Sequence, residues 1–318
     1  MQHYILVALD GSTLSEAILP HAVAVAQATE SALTLLQVLE PVYEPIFGAL
    51  GIPEFEEEEQ LALMRDEQLA SLHHYLENIA NQLRADGLEI HTKVMEGNHP
   101  ATQIRWLAEY DTLLLMSAMT THGRSGVLRW LFGSVAAEVV QTTPRSLLLL
   151  RPQESHRSFS MVNFKAVPYQ TIVVPLDASP FAEQALDQAY ELASAMNATL
   201  HLVSIVPPLP VLPLPIQKEK EPHSLLRALH QTELERRIHY LEQQAEHFRG
   251  QGLLVQTDVA TGHPAEEILR FSTQHQHMLL VMTTHGRTGL RRLLLGSVAM
   301  KVVQGAHVPI LLVPGRST

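Results

Sequence analysis

Two copies of one glycine-bearing segment carry the residues whose spacing most clearly indicates chemistry. The first copy is MTTHGRSGVLRWLFGSVA, Met119–Ala136, and the second is MTTHGRTGLRRLLLGSVA, Met282–Ala299. The copies start 163 residues apart and agree at 13 of 18 positions, which indicates a duplicated unit. Each follows an apolar run typical of a buried strand and ends in Gly-Ser before a helical pattern. Such a joint binds anions, because free backbone N–H groups and the positive end of the helix dipole meet there.

The glycines of these segments allow a sharp turn and a close approach of the backbone to a ligand. Four of these glycines are Gly123 and Gly133 in the first copy and Gly286 and Gly296 in the second. Ser134 and Ser297 each add a hydroxyl. A simpler interpretation is a strand-to-helix turn with a serine N-cap, but it leaves the recurrence of Thr-Thr-His-Gly-Arg unexplained. No lysine follows the last glycine, so the segment is not the common P-loop.

Composition narrows the class of protein. A length of 318 residues suggests two domains, and 46% apolar with 17% charged residues is typical of globular chains. The net charge of −11 argues against a general nucleic-acid or acidic-membrane binder. The absence of cysteine excludes disulfides, thiol catalysis and Cys-ligated zinc, and it fits a reducing cytoplasm. The N-terminus lacks signal-peptide features and no apolar run is long enough to cross a bilayer, so we expect a cytoplasmic protein.

Strand and helix patterns alternate along both halves. Apolar runs predict strands at Ile5–Leu9, Ala32–Leu39, Leu88–Met95, Thr112–Ser117, Ser146–Leu150, Thr171–Leu176, Thr199–Val206, Leu253–Ala260, Met278–Met282 and Ile310–Val313. Helical patterns cover Ser15–Thr29, Leu61–Leu83, Pro100–Glu109, Val135–Gln141, Pro180–Met196, His223–Gly250, Pro264–Thr273 and Val298–Gln304. Pro20 predicts a kink in the first helix. Pro41–Glu59 reads as an irregular connection and Pro207–Pro215 as an extended loop.

This alternation predicts an α/β fold with a five-stranded parallel sheet in each half and helices on both faces. We predict a first domain at residues 1–152, a linker at 153–168 and a second domain at 169–318. Asp10 and Asp177 end the first strand of each half, 167 residues apart. Ligands of such folds bind at the carboxyl ends of strands where the strand order reverses, so each aspartate should meet the glycine-bearing loop of its half.

The pattern resembles the universal stress protein family, and the whole chain is similar to its tandem form. Nucleotide-binding members carry G-x-x-G, nine residues and then G-[ST]. Gly123, Arg124–Phe132 and Gly133-Ser134 match the later parts of this motif, and the second copy matches in the same way. Thr120 and Thr283 stand in the place of the first glycine. The resemblance implies two tandem Rossmann-like domains of the adenine nucleotide alpha hydrolase-like type.

The resemblance also implies an ATP site in each half, with Mg²⁺ held through the phosphates by Asp10 and Asp177. In the first half the implied contacts to adenine, ribose and phosphates are Ala8, Leu9, Asp10, Val38, Met119, Thr120, Gly123, Gly133, Ser134 and Val135. In the second half they are Pro175, Leu176, Asp177, Ile205, Met282, Thr283, Gly286, Gly296, Ser297 and Val298.

The family pairs its units through the last strand of the sheet. This implies an intrachain pseudo-dimer through Ser146–Leu150 and Ile310–Val313, and it leaves a further homodimer open. We expect a nucleotide-dependent stress-response or signalling protein that works by binding, with no nucleic-acid or membrane partner and an unknown protein partner. One alternative is a slow ATPase or phosphotransferase that uses the aspartates with His122 and His285. The other is a protein-interaction module without nucleotide, which Thr120 and Thr283 leave open.

Overall fold

The computed structural model describes residues 2–40, 54–85, 87–122, 133–152, 164–208, 221–275, 277–284 and 295–315, with the side chains of 54–60 and 221–224 excepted. The chain divides into two compact units, Met1–Val167 and Pro168–Thr318. Three sequence features fall outside the described residues: both glycine-bearing loops with Gly123, Gly286 and His285, most of the two proline-rich connections, and residues 153–163 of the predicted linker.

The first unit alternates strands and helices. Its strands are β1 (Tyr4–Ala8), β2 (Ala32–Leu39), β3 (Ile90–Glu96), β4 (Leu114–Thr120) and β5 (Ser146–Leu150). Its helices are α1 (Thr13–Glu16), α2 (Leu19–Ala28), α3 (Glu54–Arg84), α4 (Pro100–Tyr110) and α5 (Ser134–Thr142). The strands are parallel, in the order β3-β2-β1-β4-β5. The order reverses between β1 and β4, so the ends of these two strands mark the expected ligand position.

The second unit repeats this plan. Its strands are β6 (Thr171–Pro175), β7 (Thr199–Val206), β8 (Val255–Thr261), β9 (Met278–Thr283) and β10 (Ile310–Val313). Its helices are α6 (Pro180–Glu183), α7 (Ala185–Ala195), α8 (Glu221–Arg249), α9 (Pro264–Gln274) and α10 (Ser297–Gly305). These strands are also parallel, in the order β8-β7-β6-β9-β10. The predicted fold class is confirmed in both units.

The central strands are continuous apolar runs because helices cover both faces of each sheet. In β1 the side chains of Ile5, Leu6 and Val7 are fully buried, and Ile172 and Val174 of β6 are equally enclosed. The central strands therefore form the core of each unit, and their carboxyl ends form a rigid base for the turns that follow.

Three predictions of helix extent were wrong. The helix predicted at Ser15–Thr29 is divided into α1 and α2, because Pro20 removes a helical N–H and its ring would crowd the preceding turn. The helix predicted at Pro180–Met196 is likewise interrupted at Gln184. The acidic run Glu56–Glu59 lies inside α3 and not in a loop. Negative side chains near a helix N-terminus interact favourably with its dipole, which extends this helix.

Candidate functional site

The turn after the first strand of each unit holds an aspartate in a fixed position. Asp10 Oδ1 accepts hydrogen bonds from Ser12 N at 3.0 Å and Ser12 Oγ at 2.6 Å. Asp177 Oδ1 accepts the same pair from Ser179, at 3.0 and 2.5 Å. Each serine also caps the short helix that follows, through Ser15 N in the first unit. Such Asx turns place a carboxylate at the carboxyl end of the sheet with little freedom.

The central residue of this turn has a left-handed backbone in both units. Gly11 has φ 82° and Ala178 has φ 59°. This conformation suits glycine, whereas the Cβ of alanine lies too close to the following carbonyl oxygen. The second unit therefore stores backbone strain beside its aspartate.

We expect Gly11→Ala to reduce the free energy of unfolding of the first unit by about 1 kcal/mol, because it introduces this steric conflict. Ala178→Gly should have a smaller effect of opposite sign, since relief of the strain is offset by greater freedom of the unfolded chain. Urea unfolding of both variants and the parent measures the difference. A larger loss of stability in Ala178→Gly than in Gly11→Ala would contradict this interpretation.

The glycine before the last helix of each unit is held against the strand that precedes the loop. Gly133 N donates to Thr121 O at 2.8 Å, and Gly296 N donates to Thr284 O at 2.7 Å. A Cβ on Gly133 would lie 3.3 Å from that carbonyl oxygen of Thr121. This contact leaves little room for a side chain, so the close approach of two backbone segments explains the glycine.

These glycines, and not the serines, are the N-caps of α5 and α10. The first intrahelical bonds run from Ala137 N to Gly133 O at 2.9 Å and from Met300 N to Gly296 O at 2.8 Å. The serine N-cap interpretation is therefore wrong, since Ser134 is the first residue of its helix and its side chain is exposed. The three amide groups that precede Ala137 have no partner one turn back in the helix, as at any helix N-terminus.

In the second unit the predicted residues surround one cavity of about 230 Å³ at the carboxyl ends of β6, β7 and β9. Nine of the ten line it: Pro175, Leu176, Asp177, Ile205, Met282, Thr283, Gly296, Ser297 and Val298. The tenth, Gly286, lies outside the described residues. The cavity therefore joins a fixed carboxylate, apolar side chains and the N-terminus of α10.

Four further residues line this cavity that sequence reasoning missed: Ala182, Pro264, Ile268 and Ala299. Pro264 and Ile268 lie four residues apart on α9 and so face the same side. That spacing was the signal available in the sequence. Together with Ile205 of β7, these two residues add apolar surface to the cavity.

The first unit places nine of its ten predicted residues at the corresponding positions, and the tenth, Gly123, lies outside the described residues. Ala8 ends β1, Val38 lies near the end of β2, and Met119 and Thr120 end β4. Gly133 caps α5, and Ser134 and Val135 are the first residues of that helix. Leu9 and Asp10 follow β1 directly, and Leu9 N donates to Leu36 O at 2.9 Å. The buried hydroxyl of Thr120 donates to His122 O at 2.7 Å, so it is directed into its own loop.

His122 is buried, with its Nδ1 3.0 Å from the hydroxyl of Thr121. A ring held in this way fixes the first residues of the loop. The burial of His122 favours an orienting role over the role of proton donor that the phosphotransferase alternative requires, because an enclosed ring has little access to a ligand.

Helix α9 connects the cavity of the second unit to a buried histidine. Its first turns carry Pro264 and Ile268, and near its end the ring centroid of Phe271 lies 4.9 Å from that of His201. His201 is 4% exposed, and its Nε2 lies 2.8 Å from Asp258 Oδ2. Burial lowers the pKa of His201, the contact with Asp258 opposes this shift, and nearby His275 adds to it.

We expect stability to fall in mild acid partly through His201. Its pKa is lower in the folded chain than the unfolded value of about 6.5, so neutral His201 contributes stability fully above that pH. The contribution is lost as pH falls from there through the folded pKa, because the proton then binds the unfolded chain more strongly. Urea midpoints between pH 7.5 and 5 should therefore fall less in His201→Gln than in the parent. Parallel pH profiles would contradict the assignment.

The described residues hold neither a candidate membrane span nor a candidate metal-binding cluster. No helix in these ranges is both long and apolar enough to span a bilayer. Nowhere in the same ranges do three or more histidine or acidic side chains form a cluster that could hold a metal ion.

Comparison with known proteins identifies the family. The sequence model of the universal stress protein family matches residues 1–151 and again 168–314. A universal stress protein of Methanocaldococcus jannaschii is 34% identical over 145 residues, 46% of this chain and 82% of the relative. One of Mycobacterium tuberculosis strain H37Rv is 25% identical over 320 residues, which cover 96% of this chain and 93% of that protein. The crystal structure of a universal stress protein from Archaeoglobus fulgidus superposes with a TM-score of 0.63 at 17% identity, covering 98% of both chains. The chain thus belongs to the universal stress protein family and carries the family's unit twice.

Proposed function

We propose that the second unit binds ATP in the cavity between Asp177 and the N-terminus of α10, and that the first unit binds it at the corresponding place. The observation that carries this proposal is the convergence of nine predicted residues on one cavity. A cavity that is mostly apolar, with a few polar groups at fixed points, is typical of small-molecule sites.

The lining of this cavity fits the three parts of an adenine nucleotide. Ile205, Pro264 and Ile268 provide apolar surface for the base. The fixed carboxylate of Asp177 would accept hydrogen bonds from ribose hydroxyls, or bind Mg²⁺ together with phosphate oxygens. The amide groups at the start of α10, with the positive end of its dipole, would bind the phosphates. Thr283, which stands in the place of the family glycine, is one of the residues that line the cavity.

We propose further that the protein acts by nucleotide-dependent binding in the cytoplasm, as a stress-response or signalling protein, and that any ATP hydrolysis is slow. The burial of His122 supports this, because an enclosed ring is poorly placed to exchange a proton with a bound phosphate. Pairing of the two units as an intrachain pseudo-dimer, and any homodimer, stay predictions.

The test is thermal melting of the parent with and without Mg-ATP, with Mg-GTP as the matched control. ATP at a hundredfold its Kd should stabilise each site by about 2.7 kcal/mol, a visible rise in melting temperature. A rise with ATP that GTP does not reproduce supports an adenine site. An unchanged melting temperature at millimolar ATP would contradict the proposal and favour a protein-interaction module.

A further inference from the structure

A buried arginine is linked by hydrogen bonds to the wall of the candidate site in the second unit. Arg237 of α8 is 3% exposed. Its Nε donates to Glu233 Oε1 at 2.9 Å, and the side chain of Glu233 is 35% exposed. A guanidinium is seldom enclosed to this degree unless its donors are satisfied, so its other contacts show what it does.

The second contact of Arg237 leads to the wall of the cavity. Arg237 Nη1 donates to Ser204 Oγ at 3.1 Å, and Ser204 Oγ donates to Leu176 O at 2.7 Å. Ser204 is fully buried. Leu176 N donates to Val203 O at 2.8 Å, so both polar backbone groups of Leu176 are held. Leu176 lines the cavity and immediately precedes Asp177.

The first unit has different residues at these positions. Tyr75 of α3 donates to Glu16 at 3.0 Å, and Tyr240 of α8 donates to Glu183 at 2.9 Å. The two tyrosines therefore hold corresponding positions in the two units. The residue three positions before the tyrosine is Arg237 in α8 and Leu72 in α3. Gln37 of β2 corresponds to Ser204 of β7. Gln37 follows Leu36, the partner of Ala8 at the end of β1, and Ser204 follows Val203, the partner of Pro175 at the end of β6.

Gln37 shows that the first unit does not reproduce this chain of hydrogen bonds. It is 4% exposed, and within the described part of the chain its Oε1 has no hydrogen-bond donor. The duplicated fold thus offers an internal comparison, in which one site has a charged support and the other has leucine and glutamine.

We propose that Arg237 is a positioning residue for the second site: acting through Ser204, it fixes the Leu176–Asp177 peptide in the orientation that binds the nucleotide. This inference rests on the proposed ATP site. A hydroxyl polarised by a cation is a stronger donor to the carbonyl of Leu176, and the held carbonyl restricts rotation of the peptide before Asp177. The second site is therefore more rigid before binding than the first, and preorganisation of this kind raises affinity.

The experiment isolates the second site with Gly133→Val and measures Mg-ATP binding by calorimetry, well below the melting temperature. In that background Arg237→Met and Ser204→Ala should each weaken binding about tenfold, the loss expected from one charge-assisted hydrogen bond. The double variant should bind no more weakly than Ser204→Ala alone, because both changes break the same path. Arg237→Lys, which keeps a charged donor, should recover part of the affinity.

Arg249→Met is the matched control. Arg249 is on the same helix and pairs with Glu242 at 2.7 Å, but it contacts Val255 O and not the cavity. It should alter stability and leave ATP affinity unchanged, which separates positioning from a merely structural role. Binding by Arg237→Met within twofold of the background, or losses that multiply in the double variant, would overturn the proposal while the ATP site stands. Failure of the Gly133→Val background itself to bind would overturn both proposals.

Discussion

Gly296→Val is expected to abolish the stabilisation of the second unit by Mg-ATP, and Gly133→Val that of the first. At each position the glycine N–H bonds a backbone carbonyl within 2.8 Å, and at Gly133 even a Cβ would lie 3.3 Å from that oxygen. The branched side chain must displace the start of the helix whose amide groups would bind phosphate. Each variant should lose about 2.7 kcal/mol of ligand-dependent stability at a hundredfold the parent Kd.

The measurement is melting with and without Mg-ATP for the parent, both single variants and the double variant. The single variants are controls for each other, because each should keep the response of the other unit. Gly133→Ala provides a graded step, since its smaller side chain makes one tight contact, with Thr121 O at 3.3 Å, and an ordinary one with His122 Cα at 4.0 Å. A full ATP response in the double variant would show that the nucleotide does not bind at these helix starts.

Leu35→Ala and Leu202→Ala should each reduce the free energy of unfolding of their own unit by about 2–5 kcal/mol. The two leucines hold matching positions in β2 and β7, and both are fully buried. Truncation removes apolar contacts and leaves a cavity that a central strand cannot close, because helices cover both of its faces. This loss rivals the whole stability of many domains.

Hydrogen-exchange mass spectrometry in increasing urea resolves the two units by their peptides. We expect Leu35→Ala to weaken protection first in the peptides of the first unit, and Leu202→Ala in those of the second. An equal loss of protection in both units from either variant, or a loss below about 1 kcal/mol, would contradict separate cores.

The sequence predicted the strands well because they are continuous apolar runs. The limits of Ser146–Leu150, Thr199–Val206 and Ile310–Val313 agree with the structure, since turn residues bound them closely. Helix limits were less predictable, because they depend on where a single proline or a run of charges lies within a turn. Pro20 divides one predicted helix, and the acidic residues before Leu61 extend another.

The candidate site was predictable where it lies in the repeated segments and not elsewhere. Asp177 was found because its turn recurs after the first strand of each half, and Gly296 because Gly-Ser recurs before a helix in both halves. Pro264 and Ile268 were missed because they lie outside the repeated segments, and only the folded arrangement brings α9 to the cavity. Arg237 could not be predicted from one sequence, since an arginine on a long polar helix is usually exposed and only the fold shows that this one is buried.

The most direct test of the proposed function is the number of ATP molecules bound per chain, measured by equilibrium dialysis with Mg²⁺. We predict two for the parent, one for Gly133→Val, one for Gly296→Val and none for the double variant. The remaining site of Gly133→Val should bind ATP more tightly than the remaining site of Gly296→Val. The reason is that Arg237 supports the second site through Ser204, whereas the first unit has Leu72 and Gln37 at these positions. Saturating ATP that leaves the parent without bound nucleotide, or the double variant with two, would contradict the assignment of both sites.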